Sequence, residues 1–570
     1  MRLPEPFVLH DIIRRVNTPT PALVTRRGAV PLPRLALLLL CAAYVLPGLF
    51  GRDPWRNADL TAYALMEAMA SGRTGWLNPT LGGMPLDTPL LPHWLGAASV
   101  TLLGPLLGGP LAARLPFALL LAATLVLLWY AAYHLARTEA AQPVAFAFGG
   151  EAAPVDYARA MADAALLAFI ATLGLLQMGH ETTPELAQLA AMAGVLWALA
   201  AAPFRPRLAR VAALIAWPTL AVCGAPAVAL ITGIGGTVVC RQSGYAEVRV
   251  MARWVAGATL LAVTLATLGG TWAWRVGSGW SPGDAWSIGR QWLWFLWPAW
   301  PAVLWTLWRW RRHLGHRHVA VPLVLLVAAL AANLAMRGSD RALLLALPGA
   351  AVLAAFALPT LRRSATAAID WLSMCFFTTC AIAVWVIYVA MMTGVPAKPA
   401  ANVAKLAPDF APAFLWADLL PALLASGVWL WLVHWRTGRH REAVWKSMVL
   451  PAGGVALVWL LLMSLWRPLL DHARSASPWV ETLRPHLSAS PDCLAAPDLP
   501  MALVAALEVH GPWRVQARAD ADCGWQLKVL RDQPRGAQPP PAPAGWVLQA
   551  AVRRPTDREE LTVLWRRLPR

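Results

Sequence analysis

Between residues 32 and 466 the chain alternates long apolar runs with short, polar, mostly basic stretches. A run of about 20 apolar residues is the length an α-helix needs to cross the hydrocarbon core of a bilayer. The pattern predicts helices over 32–50, 112–136, 164–180, 186–203, 209–223, 225–240, 252–273, 290–309, 319–336, 342–360, 369–394, 414–435 and 446–466, about 13 spans in all. Helices are the expected form because hydrocarbon offers no partner to an unpaired backbone N–H or C=O. From 467 onward short alternating segments take over at 513–517, 525–530, 546–552 and 561–565, with a helical stretch at 500–509 and a Pro-rich loop at 538–543. Period-two alternation marks half-buried strands. The expected fold class is an all-α polytopic membrane protein carrying a small C-terminal α/β domain over 467–570.

The stretch 91–107 is apolar enough to resemble a further span, but it is short and broken by Gly104-Pro105. It reads as an interfacial helix inside a first loop that runs from 51 to 111. Charge supports that reading. Of the 570 residues 58% are hydrophobic and 14% charged, with a net charge of +18. The basic residues gather in alternate loops: Arg14, Arg15, Arg26 and Arg27 in the tail 1–31, then 205–210, 241–253, 309–317, Arg362 with Arg363, and 436–446. Positive-inside bias makes that side cytoplasmic and puts the first loop and the C-terminal domain on the periplasmic side. Counting 91–107 as a span would invert this arrangement. The same distribution accounts for the net charge without nucleic acid as a partner. The tail lacks the apolar core and small-residue cleavage site of a removable signal peptide. An oxidising outer compartment permits a Cys493 to Cys523 disulfide, whereas Cys41, Cys223, Cys240, Cys375 and Cys380 fall in or beside spans.

The first loop is unusually charged for its setting, with Arg52, Asp53, Arg56, Asp59, Glu67, Arg73, Asp87 and His93 between two apolar spans. Ionisable residues at a membrane surface point to a substrate there. Five of these have a structural alternative. Asp53 before Pro54 suits a turn, Asp59 an early helical position, Glu67 an amphipathic helix, Asp87 the brace of a Pro turn and His93 the interface. Further on, Thr183-Pro184-Glu185 reads as cap, first helical residue and early acidic residue, which leaves His180 and Glu181 without a local explanation. Arg337 and Arg341 stand at the outer end of a span, where positive-inside bias disfavours them. Other apparent motifs belong to their surroundings: His313, His316 and His318 lie in a basic loop, Gly233 to Gly236 inside a span, and the Trp-rich run 292–310 at an interface.

The succession Gly51-Arg-Asp-Pro-Trp-Arg-Asn-Ala-Asp59, Ala62-Tyr-Ala-Leu-Met-Glu-Ala-Met-Ala-Ser-Gly72, Trp76-Leu-Asn-Pro79, Asp87-Thr-Pro89 and Ala113-Arg-Leu-Pro116 resembles the GT-C membrane glycosyltransferases of the lipid A aminoarabinose transferase and protein O-mannosyltransferase group. Gly179-His-Glu-Thr-Thr-Pro-Glu-Leu-Ala187 stands where that family has a second acidic motif. Met336-Arg-Gly-Ser-Asp-Arg341 is similar to its basic motif before a Leu- and Pro-containing helix. Two positions depart from the pattern. The family's adjacent acidic pair is here Ala58-Asp59, and its Lys after the next acidic residue is Thr88.

The resemblance implies sugar transfer from a polyprenyl-phosphate donor to an envelope acceptor, a lipid A-like glycolipid, glycan or protein, at the periplasmic face of the bacterial inner membrane. Such a reaction needs a carboxylate for the acceptor's proton and a cation for the departing phosphate. Asp59 and Asp53 are the candidate catalytic carboxylates, with Asp53 in the place of the missing partner. Arg337, Arg341, Arg56, Asp87, His93 and Glu185 are candidate substrate-binding residues. His180 and Glu181 are candidate ligands of a divalent metal, and no nucleotide cofactor is expected. A lipid or glycan transporter and a catalytically inactive scaffold of the same fold are the alternatives, the first weakened by the lack of polar span interiors and of internal repeats, the second prompted by Ala58 and Thr88.

Overall fold

The computed structural model describes residues 21–55, 57–272, 281–438, 443–487, 493–533, 538–554, 556 and 560–568. Among these, eight helices have the length and composition of a membrane span: Leu90–Leu107, Gly109–Ala136, Pro184–Ala201, Ala246–Leu268, Arg317–Ala335, Arg363–Thr393, Trp416–Thr437 and Val444–Ser464. Shorter apolar helices, Arg34–Val45, Pro226–Arg241 and Leu347–Thr360, stand with them. Several begin on proline, among them those starting at Pro154, Pro184, Pro206 and Pro226. Proline's fixed φ suits the first helical turn, where its missing N–H would have had no partner.

Two expected spans are displaced, both where distant parts of the chain supply hydrogen-bond partners. The helix expected over 164–180 runs instead over Pro154–Ile170. The helix includes Asp163, whose carboxylate accepts hydrogen bonds from Trp129 Nε1 and Leu32 N, each at 2.8 Å. The chain then turns through the short helix Leu175–Met178 and frees 179–183 as a loop. The span expected over 290–309 is broken into Pro282–Phe295 and Ala299–Arg309. Pro298 supplies no N–H at the break, and the carbonyls of Phe295 and Trp297 instead accept from Gly174 and Leu173 at 3.0 Å. The Leu90–Leu107 segment, expected at the interface, also has the length of a span, and Leu91, Leu95, Leu102 and Leu106 are exposed along it.

The bundle core is built from small residues. Every residue of Leu347–Ala357 is buried, and a Cβ on Gly349 would lie 2.5 Å from the Pro322 carbonyl oxygen. Small residues at such crossings let helix backbones approach closely where lipid removes the usual hydrophobic drive. Arg363–Thr393 and Trp416–Thr437, by contrast, expose Trp371, Phe376, Ile382, Leu424 and Trp431, the surface expected against acyl chains.

The C-terminal segment forms a five-stranded sheet in the order Val515–Gln516, Leu494–Ala495, Trp525–Leu530, Leu561–Arg567, Trp546–Arg553. The two pairings of Leu494–Ala495 are parallel and the rest antiparallel. Cys493 and Cys523 are joined by a disulfide. The domain's core is not its own alone. Leu60, Ala64 and Leu81 of the first loop are buried in one cluster with Trp479, Leu483, Val504 and Leu507. A hairpin pairing Thr80–Leu81 with Met84–Pro85 adds polar contacts: Gly82 N donates to Glu508 Oε1 at 2.9 Å, and Gly82 O accepts from Ala517 N at 2.8 Å. First loop and C-terminal domain thus fold as one cap on the helices.

Candidate active site

The helix Ala58–Ala70 starts after Asn57, whose φ is +69°. Asp59, in its first turn, closes the preceding loop by accepting from Trp55 N at 3.2 Å. Its other oxygen accepts from Thr182 N at 2.8 Å and Thr182 Oγ1 at 2.9 Å. Arg52 Nη2 stands 3.4 Å from Asp59 Oδ2 and donates to the His180 carbonyl at 2.7 Å. The carboxylate and the guanidinium therefore tie the first loop to the 179–183 loop. Burial alone pushes the Asp59 carboxyl up, but the charges of Arg52 and Arg114 and the two bonds from Thr182 outweigh it and hold the group below the usual carboxylate range. A carboxylate with both oxygens taken by donors is a poor proton acceptor and a good orienting group.

The network continues through Glu181. Arg341 Nη2 donates to Glu181 Oε2 at 2.8 Å, while Nη1 donates to Glu185 Oε2 and Thr183 Oγ1, each at 3.1 Å. Gln177 Nε2 donates to Glu181 Oε1 at 3.0 Å. Burial and the nearby Asp59 charge raise the Glu181 carboxyl, against Arg341 and Gln177. Arg341 lies in the short helix Asp340–Leu344, so residues from three distant parts of the chain meet here.

A fourth part joins them. Helix Arg467–Arg474, just after the last span, brings Asp471, which accepts from Trp55 Nε1 at 2.9 Å and from Asp53 N at 3.4 Å. Burial, with help from the Asp53 charge and against the Trp55 bond, raises Asp471 to about 6. Arg52 and Arg474 both lie over the Trp55 ring, at 4.7 and 5.0 Å from its centroid.

The remaining candidates are spread around this centre. Asp53 is half-buried beside Asp471. Asp87 is exposed beyond the hairpin. His93 is buried, its Nδ1 2.7 Å from Pro89 O, which ties down the turn into the next helix. Arg337, at φ +52°, forms its ion pair with Asp284 at 2.8 Å, beside a crevice lined by Arg290, Gln291 and Trp294. Arg56 lies outside the described residues.

The expected metal ligands do not fit an ion. His180 Nδ1 and Nε2 each lie 2.8 Å from a backbone carbonyl, of Leu176 and Tyr44, and its ring packs against Trp459. Burial, opposed by those two contacts, lowers its pKa to about 4. Glu181 is held by Arg341. Among the described residues no group of three or more His, Cys, Asp or Glu is placed to hold a metal.

Sequence reasoning passed over Arg114, Thr182, Asp471 and Arg474 as site residues. Arg114 did carry a signal, as a charge in the first turns of an apolar helix. Asp471 carried none, because only the fold brings it beside Trp55.

The fold is a bundle of apolar helices capped by a small α/β domain, with buried charges where the two meet. Crystal structures of ArnT from Cupriavidus metallidurans share it, one bound to undecaprenyl phosphate and one in the apo state. Each aligns with a TM-score of 0.59 over 93% of this chain and 96% of its own, at 13% and 15% sequence identity. No profile of a known protein family matches the chain, and neither does any curated protein. The resemblance seen in the sequence motifs thus holds at the level of the fold.

Proposed function

We propose that the protein is a glycosyltransferase of the bacterial inner membrane that moves a sugar from a polyprenyl-phosphate donor to an envelope acceptor on the periplasmic side. The observation that carries this reading is the single buried network in which Asp59, Thr182, Glu181 and Arg341 join three separate segments. The structural likeness to a protein crystallised with undecaprenyl phosphate supports the donor class.

In the reaction the acceptor oxygen forms a bond to the anomeric carbon as the carbon–oxygen bond to the donor phosphate breaks, and the bonding electrons leave with the phosphate. Asp59, fully engaged by donors, fixes the loop that presents the acceptor. Asp53, half-buried at the Asp471 carboxylate, takes the acceptor proton. Guanidinium groups offset the charge that grows on the phosphate, a role for which Arg341 and Arg337 are the sequence-derived candidates. Asp87, His93, Glu185 and Arg56 shape the surrounding loops.

Purified protein in liposomes, supplied with undecaprenyl-phosphate sugars and bacterial envelope lipids, tests the reading by mass spectrometry. The expected result is a lipid or glycan heavier by one sugar residue together with free undecaprenyl phosphate. No such product from any donor, with folded protein, favours the transporter or inactive scaffold.

A further inference from the structure

The end of the bundle away from the cap holds a cavity of about 180 Å³, more than about ten times the room one water needs. The span Val444–Ser464 starts in its wall and ends beside Arg467–Arg474 of the cap, so the cavity lies a full span, roughly 30 Å, from the site around Asp471. Three separate segments close it: Val24 and Thr25 before the first apolar helix, Leu358 and Thr366 on either side of a turn between helices, and Lys446 and Ser447 at the start of that span. Val444 N donates to Gly28 O at 2.9 Å and Trp445 Nε1 to Val30 O at 2.7 Å, which fixes the first segment against the third.

The rim is basic. Arg26 and Arg27 lie between the lining residues Thr25 and Gly28, and Arg362 and Arg363 between Pro359 and Thr366. All four are exposed, and among the described residues none of them forms an ion pair. The neighbouring carboxylates do not neutralise them: Asp370, one turn beyond Thr366, is paired with Arg436, and Glu151, whose backbone pairs with Thr25, is outside the lining. Orienting a chain in a bilayer needs basic loops but no cavity. A hollow lined by Thr25, Thr366, Lys446 and Ser447 beside unpaired guanidiniums is a place for an anion. Apolar surface adjoins it, because the helices Arg34–Val45 and Arg363–Thr393 that lead away from the rim expose Leu35, Leu38, Trp371 and Leu372. A free phosphate would use only the charged half of this arrangement. We infer that the cavity binds the headgroup of an acidic diacyl phospholipid from the leaflet away from the cap, with the phosphodiester at Lys446 and the arginine rim and the acyl chains against the two flanking helices. The site stands a span away from Asp59 and is independent of the transferase reading.

The test gives intact protein in a mild non-ionic detergent either phosphatidylglycerol or phosphatidylcholine with the same acyl chains, and counts retained lipid by native mass spectrometry. Phosphatidylglycerol is expected to stay bound under conditions that strip phosphatidylcholine. A phosphatidylglycerol with a photoactivatable group next to its phosphate is expected to label 23–28, 358–366 or 443–447. Arg362→Gln with Arg363→Gln is expected to weaken retention by about tenfold or more. Arg311→Gln with Arg312→Gln, an exposed basic pair in another loop at the same end of the bundle, is expected to leave it unchanged. Thr366→Phe fills the cavity without altering charge and is expected to weaken retention as well. Equal retention of the two lipids, equal loss from both arginine pairs, full retention by folded Thr366→Phe, or labelling elsewhere overturns the assignment. Displacement by an equal concentration of glycerol 3-phosphate also overturns it, in favour of a soluble phosphate. Should Thr366→Phe fail to fold, judged by thermal midpoint, the arginine pairs and the label map decide.

Discussion

Arg52 and Asp59 face each other at 3.4 Å with side-chain exposures of 0% and 1%. Seven residues apart, they close the first loop on itself, and through His180 and Thr182 they hold it against a segment more than a hundred residues away. Breaking such a pair on one side strands a buried charge, which costs on the order of 3–5 kcal/mol. Arg52→Leu alone is therefore expected to lower the thermal midpoint in detergent strongly, and the double change Arg52→Leu with Asp59→Leu to recover part of the loss. A double variant no more stable than the worse single one contradicts the pairing.

Arg341 bridges two carboxylates with separate nitrogens, which a lysine ammonium does not reproduce. Arg341→Lys keeps the charge and is expected to reduce transfer by about tenfold or more while costing less than about 2 kcal/mol of stability. Wild-type turnover by this variant means that charge alone is needed there.

Asp471 gives the cap a pH dependence. A carboxyl raised from 3.8 to about 6 binds its proton more tightly in the folded chain than in the unfolded one, so its contribution to stability is complete below the unfolded value and is lost as pH rises from about 4 to 6. Asp471→Asn is expected to raise the midpoint at neutral pH, by on the order of 1 kcal/mol after screening, and to flatten the slope across that window. An unchanged slope in the variant contradicts the assignment.

The union of first loop and C-terminal domain rests on Gly82, with φ +58° and a would-be Cβ 2.6 Å from Val504 Cγ1. Gly82→Ala is expected to cost roughly 1–3 kcal/mol and to speed proteolysis of the C-terminal domain. Proteolysis at the parent rate argues that the hairpin does not anchor the domain.

The disulfide closes a loop with a sequence separation of 30, which stabilises a small domain by roughly 3 kcal/mol. Reduction is expected to loosen the sheet while leaving the helical bundle intact, so hydrogen exchange rises in 494–567 and not in the spans. Uniform exchange changes contradict that separation.

Much of this was legible in the chain. The apolar runs located most of the spans because length and hydropathy are properties of contiguous residues, and the alternating segments expected over 525–530, 546–552 and 561–565 form the strands Trp525–Leu530, Trp546–Arg553 and Leu561–Arg567. The failures share one cause, long-range contacts. The span expected over 164–180 starts ten residues earlier, at Pro154, and takes in Asp163, whose carboxylate is satisfied by Trp129 and Leu32. Pro298 splits a Trp-rich run whose carbonyls are answered by Leu173 and Gly174. Within the site, Asp59, Glu181 and Arg341 were visible as charged candidates and do converge, joined by Glu185, which also had a local reading as an early acidic residue of its helix. The partnering that turns Asp59 into an orienting group depends on Thr182 and Trp55, ordinary residues whose sequence gives no warning.

The most direct measurement is the initial rate of sugar transfer from a radiolabelled undecaprenyl-phosphate sugar in liposomes, comparing the parent with Asp59→Asn at equal amounts of folded protein. The buried network as the transfer site predicts a fall of about a hundredfold or more. A rate for Asp59→Asn equal to the parent's contradicts it.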